Sequence, residues 1–161
     1  MPFTLFHLGP GALLKGVGRD RFSFMIFGGS QVLIDLEPGY RMIAGDAVLH
    51  GPSHTIGGAL AIGIIATLVG KPISEFVLRL FRYPWPAISW RTAGLSAFLG
   101  TFSHLFFDAI MHSDMTPWAP FGDSNVLLGW ITLRSLHILC VVLGIAGALL
   151  FLSHYEKRHD G

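Results

Sequence analysis

Apolar residues run along this chain in five long stretches, separated by short groups of glycine, proline and charged residues. The clearest stretch is Val126 to Ser153, about 40 Å long as a helix and enough to cross a bilayer at a tilt. Trp90 to His112 is a second. Pro52 to Val69 is a third, opened by a proline in its first turn and bounded by Gly70-Lys71-Pro72. Phe3 to Val17 and Phe22 to Leu36 are also apolar, but each gives only about 20 Å of helix. Both are expected as tilted half-spans, re-entrant segments or helices in a locally thinned bilayer. Ile73 to Phe81 mixes apolar residues with Glu75 and Arg79 and is expected to lie as an amphipathic helix at the interface. The turn Tyr83-Pro84-Trp85-Pro86 and Trp90 suit the headgroup belt. The pattern therefore predicts an all-α, integral membrane helical bundle in a single domain spanning 1–161. It has three clear transmembrane helices and two shorter N-terminal hydrophobic helices.

Composition strengthens that reading. Hydrophobic residues make up 52% of the chain and charged ones only 13%, with a mean hydropathy of +0.57. A soluble domain carries roughly 25% charged residues, so much of the usual solvating charge is missing. The net charge of +1 argues neither for nor against nucleic acid, but no basic stripe lines up for a duplex, so no nucleic-acid partner is expected and membrane lipids are. Homo-oligomerisation stays open. Cys140 is the one cysteine, lies in an apolar run and is expected to be inert. No basic region or small-residue cleavage site accompanies the apolar start, so the N-terminus is expected to be mature structure.

Polar groups inside such segments need a reason, because an ionisable side chain in hydrocarbon costs several kcal/mol, of order 3 on insertion scales. His104, Asp108 and His112 follow at steps of four, which places all three on one helix face. His50 and His54 straddle a predicted helix start, and Asp35 and Glu37 come just before Pro38, which is expected to end their helix. His7 opens the first segment. Taken singly, His7 reads as an interfacial residue, Asp35 and Glu37 as a solvated turn, and His104 with Asp108 as an interhelical hydrogen bond. His154 and His159 read as a solvated tail. Convergence decides otherwise for the first groups: all fall at ends that an up-down topology brings to one face.

Mixed histidine and carboxylate ligands point to a divalent transition metal, zinc foremost with manganese or iron as alternatives, and away from calcium. The ligand set exceeds the needs of one tetrahedral ion, so one or two ions are expected. The expected ligands are Asp35, His50, His54, His104 and Asp108, with His7 and Glu37 completing the shell and His112 beside it. Asp35, Glu37 and Arg134 are the candidate catalytic groups. Arg134 falls about 12 Å into the last predicted helix and has two readings: a tie to Asp108 or the headgroups, or a bidentate clamp on a substrate phosphate.

These motifs also resemble a known family. Pro2-Phe3-Thr4-Leu5-Phe6-His7, Asp35-Leu36-Glu37-Pro38, His50-Gly51-Pro52-Ser53-His54-Thr55 and Phe102-Ser103-His104-Leu105-Phe106-Phe107-Asp108 carry the likeness, continuing from His112 through Phe121. They are similar to the YdjM-type inner-membrane metal-dependent hydrolases of bacteria and archaea, whose His/Asp pattern is in turn similar to that of zinc-dependent phospholipases C. Where that family has Pro-Asp-x-Asp this chain has Ile34-Asp35-Leu36-Glu37, and its His50-x3-His54 is shorter and lacks the family's arginine. The resemblance implies a metal-dependent hydrolase, with a lipid or phosphoester substrate by analogy. The alternative is a non-catalytic metal-binding or structural subunit of a membrane complex.

Charge sets an expected orientation. Lys15, Arg19, Arg21, Lys71, Arg79, Arg82, Arg91, Lys157 and Arg158 share one face of the predicted bundle, and Arg41 lies on the other. The positive-inside tendency then puts the chain in a bacterial or archaeal cytoplasmic membrane with the metal site on the non-cytoplasmic side.

Overall fold

The computed structural model describes residues 5–82 and 86–159, with side chains through His154. The first four residues and Tyr83-Pro84-Trp85, including most of the expected headgroup turn, lie outside the described residues. Six helices carry the fold: α1 (Leu8–Gly18), α2 (Phe24–Ile34), α3 (Leu36–Ala44), α4 (Ile56–Leu80), α5 (Trp90–Met111) and α6 (Leu133–His159). No strand occurs among the described residues. Local chemistry explains the starts. The side chains of Ser23, Thr55 and Ser89 accept hydrogen bonds from Ile26, Gly58 and Thr92 amides, capping α2, α4 and α5.

The helices α4, α5 and α6 are long and apolar enough to cross a membrane. Over half of the most apolar stretch of α5 is buried, against 17% for α4 and α6, so α5 is the central helix. Outward-facing leucine, isoleucine and valine on the other two, such as Ile64, Leu68, Val142 and Ile145, suit lipid rather than water. Small residues let backbones approach. Gly100 of α5 faces Ser30 and the Phe27 carbonyl of α2, Gly63 of α4 faces Phe98 of α5, and Ala59, Ala66, Ala93 and Ala97 fill the core between them. Ser96 accepts from the Ser23 amide at 2.8 Å, so α2 lies along α5 in parallel.

The first and last helices also run in parallel. The Phe6 ring stacks on His137 at 4.2 Å. Further along, Gly9 meets the Cys140 backbone and Gly16 meets Gly147, and at the far end Arg19 Nη2 lies 2.6 Å from His154 Nε2. His154 is thus part of a helix contact rather than a solvated tail, and α6 continues through His159, whose side chain lies outside the described set.

Three expected boundaries are corrected. Helix α4 runs straight through Gly70-Lys71-Pro72, so Ile73 to Leu80 forms its last turns and not a separate interfacial helix. Pro72 lacks the amide that would bond the Leu68 carbonyl, but the buried Ser74, the packing of Leu78 and a 2.7 Å Lys71–Glu75 ion pair carry the helix on. Next, Pro38 does not end a helix. The break falls at Asp35, and Pro38 occupies the first turn of α3, where its missing amide would have had no helical partner. Finally, Val126 to Ile131 is a turn-rich loop and α6 starts seven residues later than expected, at Leu133. Asn125 Nδ2 donates to the Ala109 and His112 carbonyls and the Gly129 amide to that of Ile110, so this apolar loop closes the C-terminal end of α5.

Candidate metal centre

Four chain segments meet at one end of the bundle. His7 comes from the 3-10 turn ahead of α1, Asp35 from the α2–α3 break, and His50 and His54 from the segment leading into α4. His104 and Asp108 lie on consecutive turns of α5, and His112 is its C-terminal cap. Asp108 stands at the centre. Its Oδ2 lies 3.1 Å from His104 Nε2, 3.3 Å from His54 Nε2 and 3.9 Å from His50 Nε2, while Oδ1 lies 3.3 Å from His7 Nε2. Asp35 Oδ1 approaches His104 Nε2 at 3.1 Å and His54 Nε2 at 3.8 Å. Two sets of ligand atoms converge within 4.8 Å of one another, Asp35/His54/His104/Asp108 and His50/Asp108/His112. Asp108 belongs to both.

The rings are held from behind. Asp114 Oδ1 lies 2.9 Å from His50 Nδ1, and its Oδ2 accepts the Leu49 and His50 amides at 2.9 and 3.2 Å. Burial works to raise the Asp114 carboxyl, but these three hydrogen bonds outweigh it and hold its pKa down to about 2. Ser53 Oγ lies 2.9 Å from His54 Nδ1. His7 is stacked between Phe107, at 5.8 Å, and the edge of His104, and its carbonyl accepts from Gln31 Nε2. The Nδ1 contacts of His50 and His54 fix which nitrogen of those two rings faces inward.

A metal ion fits these residues on two counts. Most of the inward-facing atoms are buried and lack a hydrogen bond: His7 Nε2, His50 Nε2, His54 Nε2, His104 Nε2, both Asp35 oxygens and Asp108 Oδ2. Each such orphan costs about 1–3 kcal/mol, and a single cation relieves several at once. Moreover, the contact of His50 Nδ1 with Asp114 Oδ1 turns the Nε2 of that ring toward the Asp108 carboxylate. His50 Nε2 and Asp108 Oδ2, both buried and without a hydrogen bond, face each other across 3.9 Å, a gap that a metal ion between them fits.

Two expected site residues lie elsewhere. Glu37 is in the first turn of α3, where Oε1 takes Arg41 Nε at 2.9 Å and Oε2 the Ser53 amide at 2.7 Å. Both oxygens brace the segment that carries His54, and these contacts hold the carboxyl below its ordinary range against the opposing effect of burial. Arg134 is not deep in a helix. It is exposed in the first turn of α6, and the described partners of Asp108 are histidines, so no tie between the two exists. Asp114 and Ser53 were not legible as site residues. The only signal was a carboxylate two positions after His112 and a hydroxyl beside His54. No family model, no curated protein and no solved structure matches the chain.

Proposed function

We propose that the protein is a membrane-integral, metal-dependent hydrolase acting on a lipid or other phosphoester, of the kind the YdjM-type resemblance implies. The observation that carries this reading is the convergence of Asp35, His54, His104 and Asp108, all buried, on one point with their inward atoms lacking hydrogen bonds. Zinc is the ion the donor set favours, ahead of manganese or iron. A divalent ion there supplies Lewis acidity, acidifying water and polarising a phosphoryl oxygen. The chain's own residues do the rest. Asp35 Oδ1 is the oxygen nearer the histidines, at 3.1 and 3.8 Å, and would face the ion with them, which leaves Oδ2 as the candidate acceptor for the proton of an attacking water. Water's oxygen joins phosphorus, the bond to the leaving alcohol breaks, and the proton passes to the alcohol. Arg134, exposed at the same end, is offered to a substrate phosphate. The apolar outer faces of the helices support a substrate that arrives from lipid.

Complete burial of the four-residue set is also what a closed, structural metal site requires, which favours a non-catalytic metal-binding subunit as the second reading. One experiment separates the two. Protein purified without chelator is expected to contain a transition metal, and His104→Ala or Asp108→Ala to lose most of it. Metal-dependent turnover of generic phosphodiester or phosphomonoester substrates supports the hydrolase. Bound metal without turnover of any such substrate, or of simple esters, supports the structural subunit. Unchanged metal content in both variants sinks the site itself.

A further inference from the structure

The two ligand sets that share Asp108 are not alike. Asp35, His54, His104 and Asp108 are all buried, and four protein atoms complete a tetrahedral sphere. His50, Asp108 and His112 supply only three, and His112 is half-buried. It caps α5 where the backbone turns extended, with φ −112° and ψ 122°, and its ring lies against that of His50 at 4.3 Å. Asp114, which anchors His50 from outside, has a side chain 27% exposed. The approach from solvent therefore lies on the His50–His112 side.

Resting on the metal-centre reading above, we propose that the centre holds two inequivalent ions. One is closed, in Asp35/His54/His104/Asp108. The other is open, in His50/Asp108/His112, and is the one that takes phosphate oxygens from the substrate. Asp108 bridges them, since its carboxylate already faces histidines of both sets. Asp114 is a positioning residue for the open ion. It touches neither ion, but fixes the ring that does through three contacts.

The test uses full-length protein in detergent, stripped with chelator and titrated with cobalt(II) while visible absorption is followed. Two equivalents are expected, the first bound more tightly. Inorganic phosphate should then change the spectrum of the second equivalent and leave the first unaltered. His112→Ala should reduce the stoichiometry to one, keep the first equivalent's spectrum and abolish the response to phosphate. Asp114→Asn should weaken the second equivalent about 10–100-fold and spare the first. That spared spectrum shows that each variant is folded at the centre. Retention of both equivalents with unchanged affinity in His112→Ala overturns the division, and so does a response to phosphate from the first ion. Wild-type protein that binds no cobalt overturns the metal reading beneath it.

Discussion

At the scale of single residues, Glu37 and Asp114 exchange the roles their positions invite. Glu37 follows Asp35 by two and looks like its partner ligand, yet Asp35 keeps a helical backbone and two positions on a helix lie about 200° apart, so the two carboxylates point to different places. Glu37 then braces the turn at Gly51, where any added Cβ would strike its carboxylate and the Arg41 guanidinium. Glu37→Gln is expected to leave the bound metal unchanged and to lower stability by about 1–2 kcal/mol through the weakened Arg41 and Ser53 contacts. Metal analysis beside a thermal melt checks this. A fall in metal content would return Glu37 to the ligand shell. Of the centre itself, His104, Asp108 and His112 were legible because a spacing of four on a helix fixes a shared face. Asp114 was not, because its contact with His50 is made across 64 residues of chain by a loop with no period to read.

Helix boundaries were readable where composition and hydrogen bonding agree, as for Trp90–Met111, and misleading where they part. Val126 to Ile131 is apolar enough to extend a span, but its groups are spent on closing the end of α5, and Thr132 instead caps α6 by accepting the Ser135 amide. Pro72 misleads in the opposite sense, since tertiary contacts carry α4 past it. The packing of α1 on α6 had a fainter signature: Gly9 and Gly16 on one, Gly144 and Gly147 on the other. A Cβ at Gly147 would run into the backbone of Ala12 and Leu13, so Gly147→Ala is expected to cost about 1–3 kcal/mol by forcing the helices apart. Gly29 has nothing within 4 Å of an added Cβ, so Gly29→Ala is expected to be neutral or stabilising by about 0.5–1 kcal/mol. Thermal melts of both variants in one detergent make the comparison, and equal melting points would contradict the close contact.

Over the whole molecule, α1, α4 and α6 all lead away from the metal centre and α2 and α5 return to it, which leaves Lys15, Arg19, Arg21, Arg79, Arg82 and Arg91 at the far end. We infer from the positive-inside tendency that this far end is cytoplasmic. In a Cys140→Ala background, Ser124→Cys is expected to react with a membrane-impermeant thiol reagent on intact cells, outer membrane permeabilised if there is one, and Arg21→Cys to be protected. The opposite pattern would place the centre inside the cell. The parallel pairing of α1 with α6 also dictates an order of assembly. A nascent chain emerges from its N-terminus, so α1 is made well before its chief partner, α6. Until α6 arrives, α1 lacks the glycine-faced backbone it packs on, and His7, carried at its head, is not yet held beside Asp108. The His7 side of the cluster is therefore completed only once α6 has been made and has docked on α1. Chains stopped after residue 132 are expected to leave α1 open to protease in isolated membranes, where the full chain protects it; equal protection would mean that α1 docks without its partner.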